Sequence, residues 1–378
     1  MKKILALLLA SAMAATLLTG CGGAASTTTA ATTAVAATTA AATTAAADTT
    51  TPAADTTAAA ADKTTLNVGV LVWKYSDTYG SSVRAAIEKY AASIGAEKGI
   101  TVNLNMVDGN DDQAIQNDQA STLLQKDLDL LVVNLCEVTA GQPIVDLAKA
   151  AGVPVLFYNK EPSESAVVTG ANSIFIGTKA EQAGEMQGDI LAQLVAADPK
   201  IDTNGDGTIQ YLMFKGDPDN IEAIARSTSS VSQSIKNGLK LEQVNGEDLV
   251  CNWDTAKAQE AMAAVWAKYD VEIEAIFCNN DDMGLGVIAA LNEVGYNTGV
   301  AGDKVIPVIG VDATDAAAEA IKNGKLQGTV KQDGDAMGKA IIELAINGAQ
   351  GKEWLDGTSY VMADDGFSIR IPYSPVTK

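Results

Sequence analysis

Residues 66–107 read LNVGVLVWKYSDTYGSSVRAAIEKYAASIGAEKGITVNLNMV, and this stretch holds the repeating unit from which the whole fold follows. Leu66–Trp73 is a near-continuous apolar run rich in valine, as expected of a strand buried on both faces. Ser81–Ile94 then carries apolar residues at helical spacing, and Thr101–Val107 returns to a strand. The alternation persists through the chain. Further apolar runs lie at Leu128–Leu135, Val153–Tyr158, Ser173–Gly177, Thr208–Phe214, Ile273–Cys278, Val305–Gly310 and Leu326–Val330. Between them come helical patterns at Gln113–Leu124, Ile144–Ala151, Ala180–Ala196, Glu222–Asn237, Thr255–Lys268, Met283–Val294 and Ala316–Asn323, with Ala336–Asn347 last. Repeated strand–helix units imply a parallel sheet covered by helices on both faces. So long a series exceeds one core, so the fold class is α/β with two doubly wound parallel-sheet lobes.

The N-terminus is of a different kind. Met1-Lys2-Lys3 and the apolar stretch Ile4–Leu18 form a signal peptide over residues 1–20, too short for a spanning helix. Leu18-Thr19-Gly20-Cys21 resembles the bacterial lipobox, which implies that Cys21 becomes the lipid-modified first residue of the mature chain. Residues 21–65 are the lipidated cysteine and a tether of alanine and threonine, in which Val35 is the sole larger apolar side chain. Burial there could not offset the entropy of ordering, so a disordered coil with an end-to-end distance of about 35 Å is expected. The expected location is extracytoplasmic, lipid-anchored to the outer face of the bacterial cell membrane.

Charge and composition exclude several functions. The formal net charge of −21 opposes binding to nucleic acid phosphates. The chain contains no histidine, which removes Ser-His-Asp and Cys-His nucleophile activation and His-ligated zinc. Cys136, Cys251 and Cys278 stand among apolar neighbours and are expected to be small buried hydrophobes. Gly284-Leu285-Gly286-Val287-Ile288-Ala289 fits GxGxxA, but it starts inside a helix, with Asp281 and Asp282 where a pyrophosphate would lie. Close helix packing explains these glycines.

In doubly wound sheets ligands bind outside the carboxyl ends of the strands. Nearly every strand exit in this chain carries groups that can make two hydrogen bonds: Asp77 and Tyr79, Asn134, Asn159-Lys160-Glu161, Asn220-Ile221-Glu222 with Arg226, Asn279-Asn280-Asp281, Asp312 and Gln332. Helix capping is the alternative role for each of these Asp and Asn residues taken singly. Together with Tyr79 and Trp253 they suit a small, polar, neutral molecule with several hydroxyls. Asp77 and Asp312 could instead serve a sugar hydrolase as paired carboxylates, although a binding protein is the leading expectation.

Lys74-Tyr75-Ser76-Asp77-Thr78-Tyr79, Gln116-Asn117-Asp118-Gln119, Asn159-Lys160-Glu161-Pro162, Trp253-Asp254-Thr255, Asn279-Asn280-Asp281 and Gly310-Val311-Asp312-Ala313 carry a more specific likeness. In order and spacing the chain resembles the galactose/glucose-binding proteins among the periplasmic sugar-binding components of ABC transporters. The resemblance runs from Leu66 nearly to the C-terminus. It implies a type I Venus-flytrap of two lobes joined by three crossing segments, divided here as 66–153 plus 333–366 and 154–332 plus 367–378. By position, Asp77, Asn134, Glu222, Arg226, Asn280, Asp312 and Gln332 would bond the sugar hydroxyls, and Tyr79 and Trp253 would sandwich its ring. Asn220 stands for the family's histidine, Glu222 for an aspartate, Tyr79 for a phenylalanine and Gln332 for a late asparagine, so the choice among glucose, galactose and a related sugar stays open. The partners implied are a monosaccharide and an ABC permease, with a chemoreceptor or kinase as the alternative recipient, and the protein is expected to be a monomer.

Asp202-Thr203-Asn204-Gly205-Asp206-Gly207-Thr208-Ile209-Gln210 matches the first nine positions of an EF-hand loop, with oxygen ligands at alternate residues. Met213 occupies the twelfth position, so the bidentate carboxylate must come from elsewhere. The same resemblance places that carboxylate at Glu274. The expected cofactor is a structural Ca2+ held by Asp202, Asn204, Asp206, the Thr208 carbonyl, Gln210 and Glu274.

Overall fold

The computed structural model describes residues 63–169, 172–270 and 272–378. The signal peptide, Cys21 and the tether up to residue 62 lie outside the described residues.

Two sheets form from the expected strand–helix units. The first is wholly parallel, in the spatial order Ser368–Arg370, Ser173–Gly177, Val155–Tyr158, Leu130–Val133, Thr65–Val72, Thr101–Asp108. The second runs Ser374–Thr377, Gly328–Lys331, Val308–Ile309, Ala275–Cys278, Ile209–Lys215, Leu241–Gln243, with Leu249–Val250 also pairing Ile209–Lys215. Its edge strand Ser374–Thr377 is antiparallel and contains Pro375, tolerated where one backbone edge needs no partner. Successive side chains of a strand face opposite ways, and here each way leads into a core. Leu130 and Val132 pack into one cluster of the first lobe, Leu131 and Val133 into another. Leu212 and Phe214 are divided from Tyr211 and Met213 in the second lobe. Burial on both faces is why the strands read as unbroken apolar runs.

The lobes are joined by three segments. The chain leaves the first sheet after Gly177 and enters helix Ala180–Ala197, returns between Lys331 and helix Gly334–Ala349, and crosses again between Arg370 and Ser374. Two boundaries expected from the sequence are therefore corrected. Residues 154–177 belong to the first lobe, because Leu156 and Phe157 pair with Val132 and Val133 and then with Ile174 and Phe175. Residues 367–370 also belong there, since Ile369 pairs with Ile176. An apolar run carries no mark of the sheet it will join, and the strand–helix rhythm is the same on either side of a crossing. The short strands Leu241–Gln243, Leu249–Val250, Ser368–Arg370 and Ser374–Thr377 were likewise not distinguished, being too short or too polar to stand out.

Gly286 lies within helix Asp281–Glu293, and a Cβ there would meet the Thr255 carbonyl oxygen at 2.1 Å. The GxGxxA stretch is thus a close helix contact. Cys136, Cys251 and Cys278 are free and buried. Burial pushes the Cys136 thiol up to about 12 and Cys251 to about 11, so neither is a ready nucleophile.

Candidate functional site

The strand exits of both sheets face one cleft, and a narrow cavity lined from both lobes lies there. Three of the side chains around it are helix N-caps. Asp77 Oδ1 accepts from Gly80 N (2.5 Å) at helix Thr78–Lys98, Asn220 Oδ1 from Ala223 N (3.0 Å) at Ile221–Lys236, and Asn280 Oδ1 from Met283 N (3.0 Å) at Asp281–Glu293. Capping and facing the cavity are compatible roles. Each cap uses one oxygen, which locks the side chain and leaves its second polar atom for whatever fills the cavity.

Trp253 supplies an aromatic wall from the second lobe. Its backbone is left-handed (φ 62°), as is that of Asn252 before it (φ 51°), and Asn159 (φ 63°) and Asp312 (φ 119°) also depart from the usual region. Such strained positions concentrate where surrounding structure must aim a side chain. A Cβ on Gly216 would fall 2.2 Å from the Trp253 ring, so the indole lies directly on glycine backbone. Trp253 Nε1 donates to Asp217 Oδ2 (2.9 Å), which also meets Lys160 Nζ (3.3 Å) from the first lobe. Lys160 Nζ sits 3.7 Å from the centre of the Trp73 ring, and its side chain is only 5% exposed. Thr78 Oγ1 donates to Asp282 Oδ2 (2.8 Å), adding a second bond between the lobes. The cleft is closed in this structure.

Arg226 occupies the centre. Nη1 donates to the Asn279 carbonyl (2.7 Å), and Nη2 to Gln332 Oε1 and Tyr373 Oη, both at 2.8 Å. Its Nε remains without a partner although buried, as do Glu222 Oε2 and the Tyr79 hydroxyl, which stands beside Gln332 without completing a bond. Burial drives the Asp312 carboxyl well above the usual carboxylate range, against the pull of Arg226. The Glu222 carboxyl is raised by the same cause with the same opposition, and Asp77 by burial despite the Gly80 N–H. Buried carboxyls raised in this way have too few hydrogen-bond donors to offset the loss of water. Hydroxyl groups of a bound molecule would provide them.

The structure brings Asp77, Tyr79, Asn220, Glu222, Arg226, Trp253, Asn280, Asp312 and Gln332 together around this cavity. Asn134 is not among the residues that line this cavity; its Oδ1 accepts from Lys160 N (3.3 Å), which ties it to the loop that does face the cavity. Trp73, Asn159 and Lys160 complete the wall. Asn159 and Lys160 stand among the strand-exit groups read from the sequence, though not among the residues expected to contact the sugar. Nothing in the sequence marks Trp73 as other than the last core residue of its strand.

The residues expected to hold calcium lie on a separate loop and beside it. Asp202 takes Gly205 N (2.7 Å) on Oδ1 and Gly207 N (2.9 Å) on Oδ2, Asn204 Oδ1 takes Asp206 N (2.8 Å), and Asp206 takes Thr208 N (2.7 Å) and Gln210 Nε2 (3.0 Å). The backbone N–H of Thr208 holds the Asp206 carboxyl below the usual carboxylate range. Glu274, 2% exposed, immediately precedes the neighbouring strand Ala275–Cys278, and its carboxylate accepts from Thr203 Oγ1 (2.7 Å) and Gln210 N (3.2 Å). Among the described residues no three His, Cys, Asp or Glu side chains gather into a metal-holding group, so the set would close only with the amides of Asn204 and Gln210 and the Thr208 carbonyl.

Comparison with known proteins agrees with this geometry. The periplasmic binding protein domain model matches residues 68–353. The D-galactose/methyl-galactoside binding periplasmic protein MglB of Haemophilus influenzae is 35% identical over 312 residues, covering 82% of this chain and 89% of the relative. The ribose import binding protein RbsB of Bacillus subtilis is 26% identical over 292 residues, covering 77% and 84%. Among solved structures, an ABC transporter solute-binding protein from Clostridium phytofermentans with bound beta-D-glucose superposes with a TM-score of 0.65 at 19% identity, covering 82% of this chain and 94% of that one. One from Bacillus halodurans with bound myo-inositol gives 0.66 at 24% identity, covering 84% and 96%. Likeness at these structural identities concerns the fold alone.

Proposed function

Because this chain belongs to the periplasmic binding protein family, we propose that it captures a neutral monosaccharide of the glucose or galactose type between its lobes and hands it to an ABC permease. It is a binding protein and not an enzyme, as its relatives are, which removes the hydrolase alternative for Asp77 and Asp312. The observation that carries the sugar reading is that, of the seven buried side-chain polar atoms without partners among the described residues, three stand at this cavity: Tyr79 Oη from the first lobe, Glu222 Oε2 and Arg226 Nε from the second. Each such atom costs about 1–3 kcal/mol while unsatisfied, and a molecule with hydroxyls on several sides would satisfy donors and acceptors together. Trp73, Tyr79 and Trp253 supply the aromatic surface for its C–H faces. Contacts from both lobes would favour the closed form, which is the form a permease would recognise. Titration calorimetry against glucose, galactose, ribose, a uronic acid and an amino acid tests the reading. Binding of glucose or galactose in preference to the charged compounds is expected, and binding confined to the charged compounds would overturn it.

The same proposal includes lipid anchoring at Cys21 and a structural Ca2+ at Asp202, Asn204, Asp206, the Thr208 carbonyl, Gln210 and Glu274. The buried Glu274 carboxylate drawn onto an EF-hand-like loop supports the metal. A ligand that binds only the folded state at about 100 times its Kd adds about 2.7 kcal/mol of stability. Chelation should therefore lower the thermal midpoint by several degrees, added calcium should restore it, and Glu274→Gln should remove the response. A midpoint indifferent to chelator would exclude the metal.

A further inference from the structure

The three segments that cross between the lobes converge on one cavity side chain. Gln332, which accepts from Arg226 Nη2, lies in the second crossing, and Tyr373, which accepts from the same nitrogen, lies in the third. The Tyr373 hydroxyl is in turn 2.8 Å from Thr178 Oγ1, in the first crossing. A guanidinium can only donate, so the phenol oxygen accepts from Arg226 and keeps its own proton or its second lone pair for Thr178. Gln332 Nε2 continues the chain to Asn159 Oδ1 (3.2 Å) in the first-lobe wall. Tyr373 N also donates to Gln182 Oε1 (3.2 Å), which pins the third crossing to helix Ala180–Ala197. Thr178, Arg226, Gln332 and Tyr373 are all at most 5% exposed, so water does not compete for these bonds.

We propose that Tyr373 and Thr178 are positioning residues that hold the Arg226 guanidinium through the hinge, so that lobe closure and presentation of Arg226 to a ligand form a single equilibrium. Opening rotates the three crossings relative to one another, and bonds satisfied in one arrangement of all three cannot all survive. A ligand oxygen on the free Arg226 Nε would then favour the closed hinge, and a loosened hinge would weaken the ligand by the same factor. The inference rests on the sugar-capture reading only for the identity of that ligand.

The test uses the full mature chain, with Tyr373→Phe, Thr178→Val and the double variant. It reads glucose and galactose Kd by calorimetry and the interlobe distance distribution from a spin-label pair with one exposed site in each lobe. Tyr373→Phe should weaken sugar binding about tenfold and Thr178→Val about threefold. In the Phe background the Val change should add nothing, because both bonds pass through one hydroxyl. Ligand-free Tyr373→Phe should also shift toward longer interlobe distances. A merely structural loss would lower the thermal midpoint without that non-additivity in Kd. Unchanged Kd and distances in Tyr373→Phe, or effects that simply add, would overturn the proposal. Should Tyr373→Phe not fold, Thr178→Val decides by its own two readouts: a roughly threefold weaker sugar Kd together with longer ligand-free interlobe distances is expected, and unchanged Kd and distances would overturn the proposal. If the parent protein binds neither sugar, the sugar reading fails separately, and the ligand-free distances alone decide whether the hinge is coupled.

Discussion

Arg226→Met should abolish sugar capture, weakening it at least about 100-fold, and should destabilise the fold by about 3–5 kcal/mol. Burial opposes the Arg226 charge, and Tyr373, Asp312 and Glu222 hold it in place. Without the guanidinium, the buried carboxyls of Glu222 and Asp312 lose their principal counter-charge, and Gln332 and Tyr373 lose a donor. The lost hydrogen bonds matter less than the charges left alone in a poorly solvated cavity. Arg226→Lys keeps the charge but not the planar fork, which here serves the Asn279 carbonyl, Gln332 and Tyr373 together. It should recover part of the stability and little of the affinity. Urea unfolding and calorimetry on both variants check this, and near-parental affinity in Arg226→Met would remove the residue from the site.

Asp312→Asn should move affinity and stability in opposite directions. The folded-state pKa of Asp312 is raised by burial, so the folded protein loses stability as pH climbs from the unfolded carboxylate value through the raised one. Near neutral pH the parent bears that penalty in full or in part, and an uncharged amide does not. The ligand-free variant should therefore melt at a higher temperature than the parent at pH 7, with the gain shrinking as pH falls toward the unfolded carboxylate value of about 3.9 and vanishing below it, where Asp312 is protonated in both states. Sugar binding should weaken by about ten- to a hundredfold, because hydroxyl donors lose a charged acceptor. The pH series of thermal midpoints is the sharper check. A stabilisation that persists undiminished at pH 4 would mean that charge is not its cause, and unchanged affinity would place Asp312 outside the sugar contacts.

Such opposed effects are common to residues placed for binding, since a group held short of partners in the empty site is poised to accept them from a ligand. Asp77, Glu222 and Asp312 share this condition, with only Arg226 and Lys160 as cations among the cavity lining. An acidic, poorly solvated cavity of this kind favours a neutral molecule rich in hydroxyl donors over an anion.

Much of the site was readable one residue at a time. Asp77, Asn220 and Asn280 each follow a strand and precede a helix, and local geometry alone turns them toward the strand ends. Asn134 has partners that no local reading supplies: its N–H continues the ladder to Leu71 O (2.9 Å), and its Oδ1 takes the Lys160 N–H from another strand exit. Lys160 is legible as a strand-exit group, but its burial is not: Trp73, Asp217 and the Cys136 carbonyl enclose it, and these partners come from three separate parts of the chain.

What the amino-acid order determined by itself was everything with a local cause: the strand–helix rhythm, the double-sided burial of the strands, the capping residues at their exits and the curled loop at 202–210. Those features depend on spacing within a few residues, where periodicity and capping chemistry act directly. Only the tertiary structure decided which sheet each strand joined, where the three crossings fell, and that Thr178, Arg226, Gln332 and Tyr373 meet. Such contacts between distant residues are set by the packing of whole lobes, and no short stretch of sequence contains both partners.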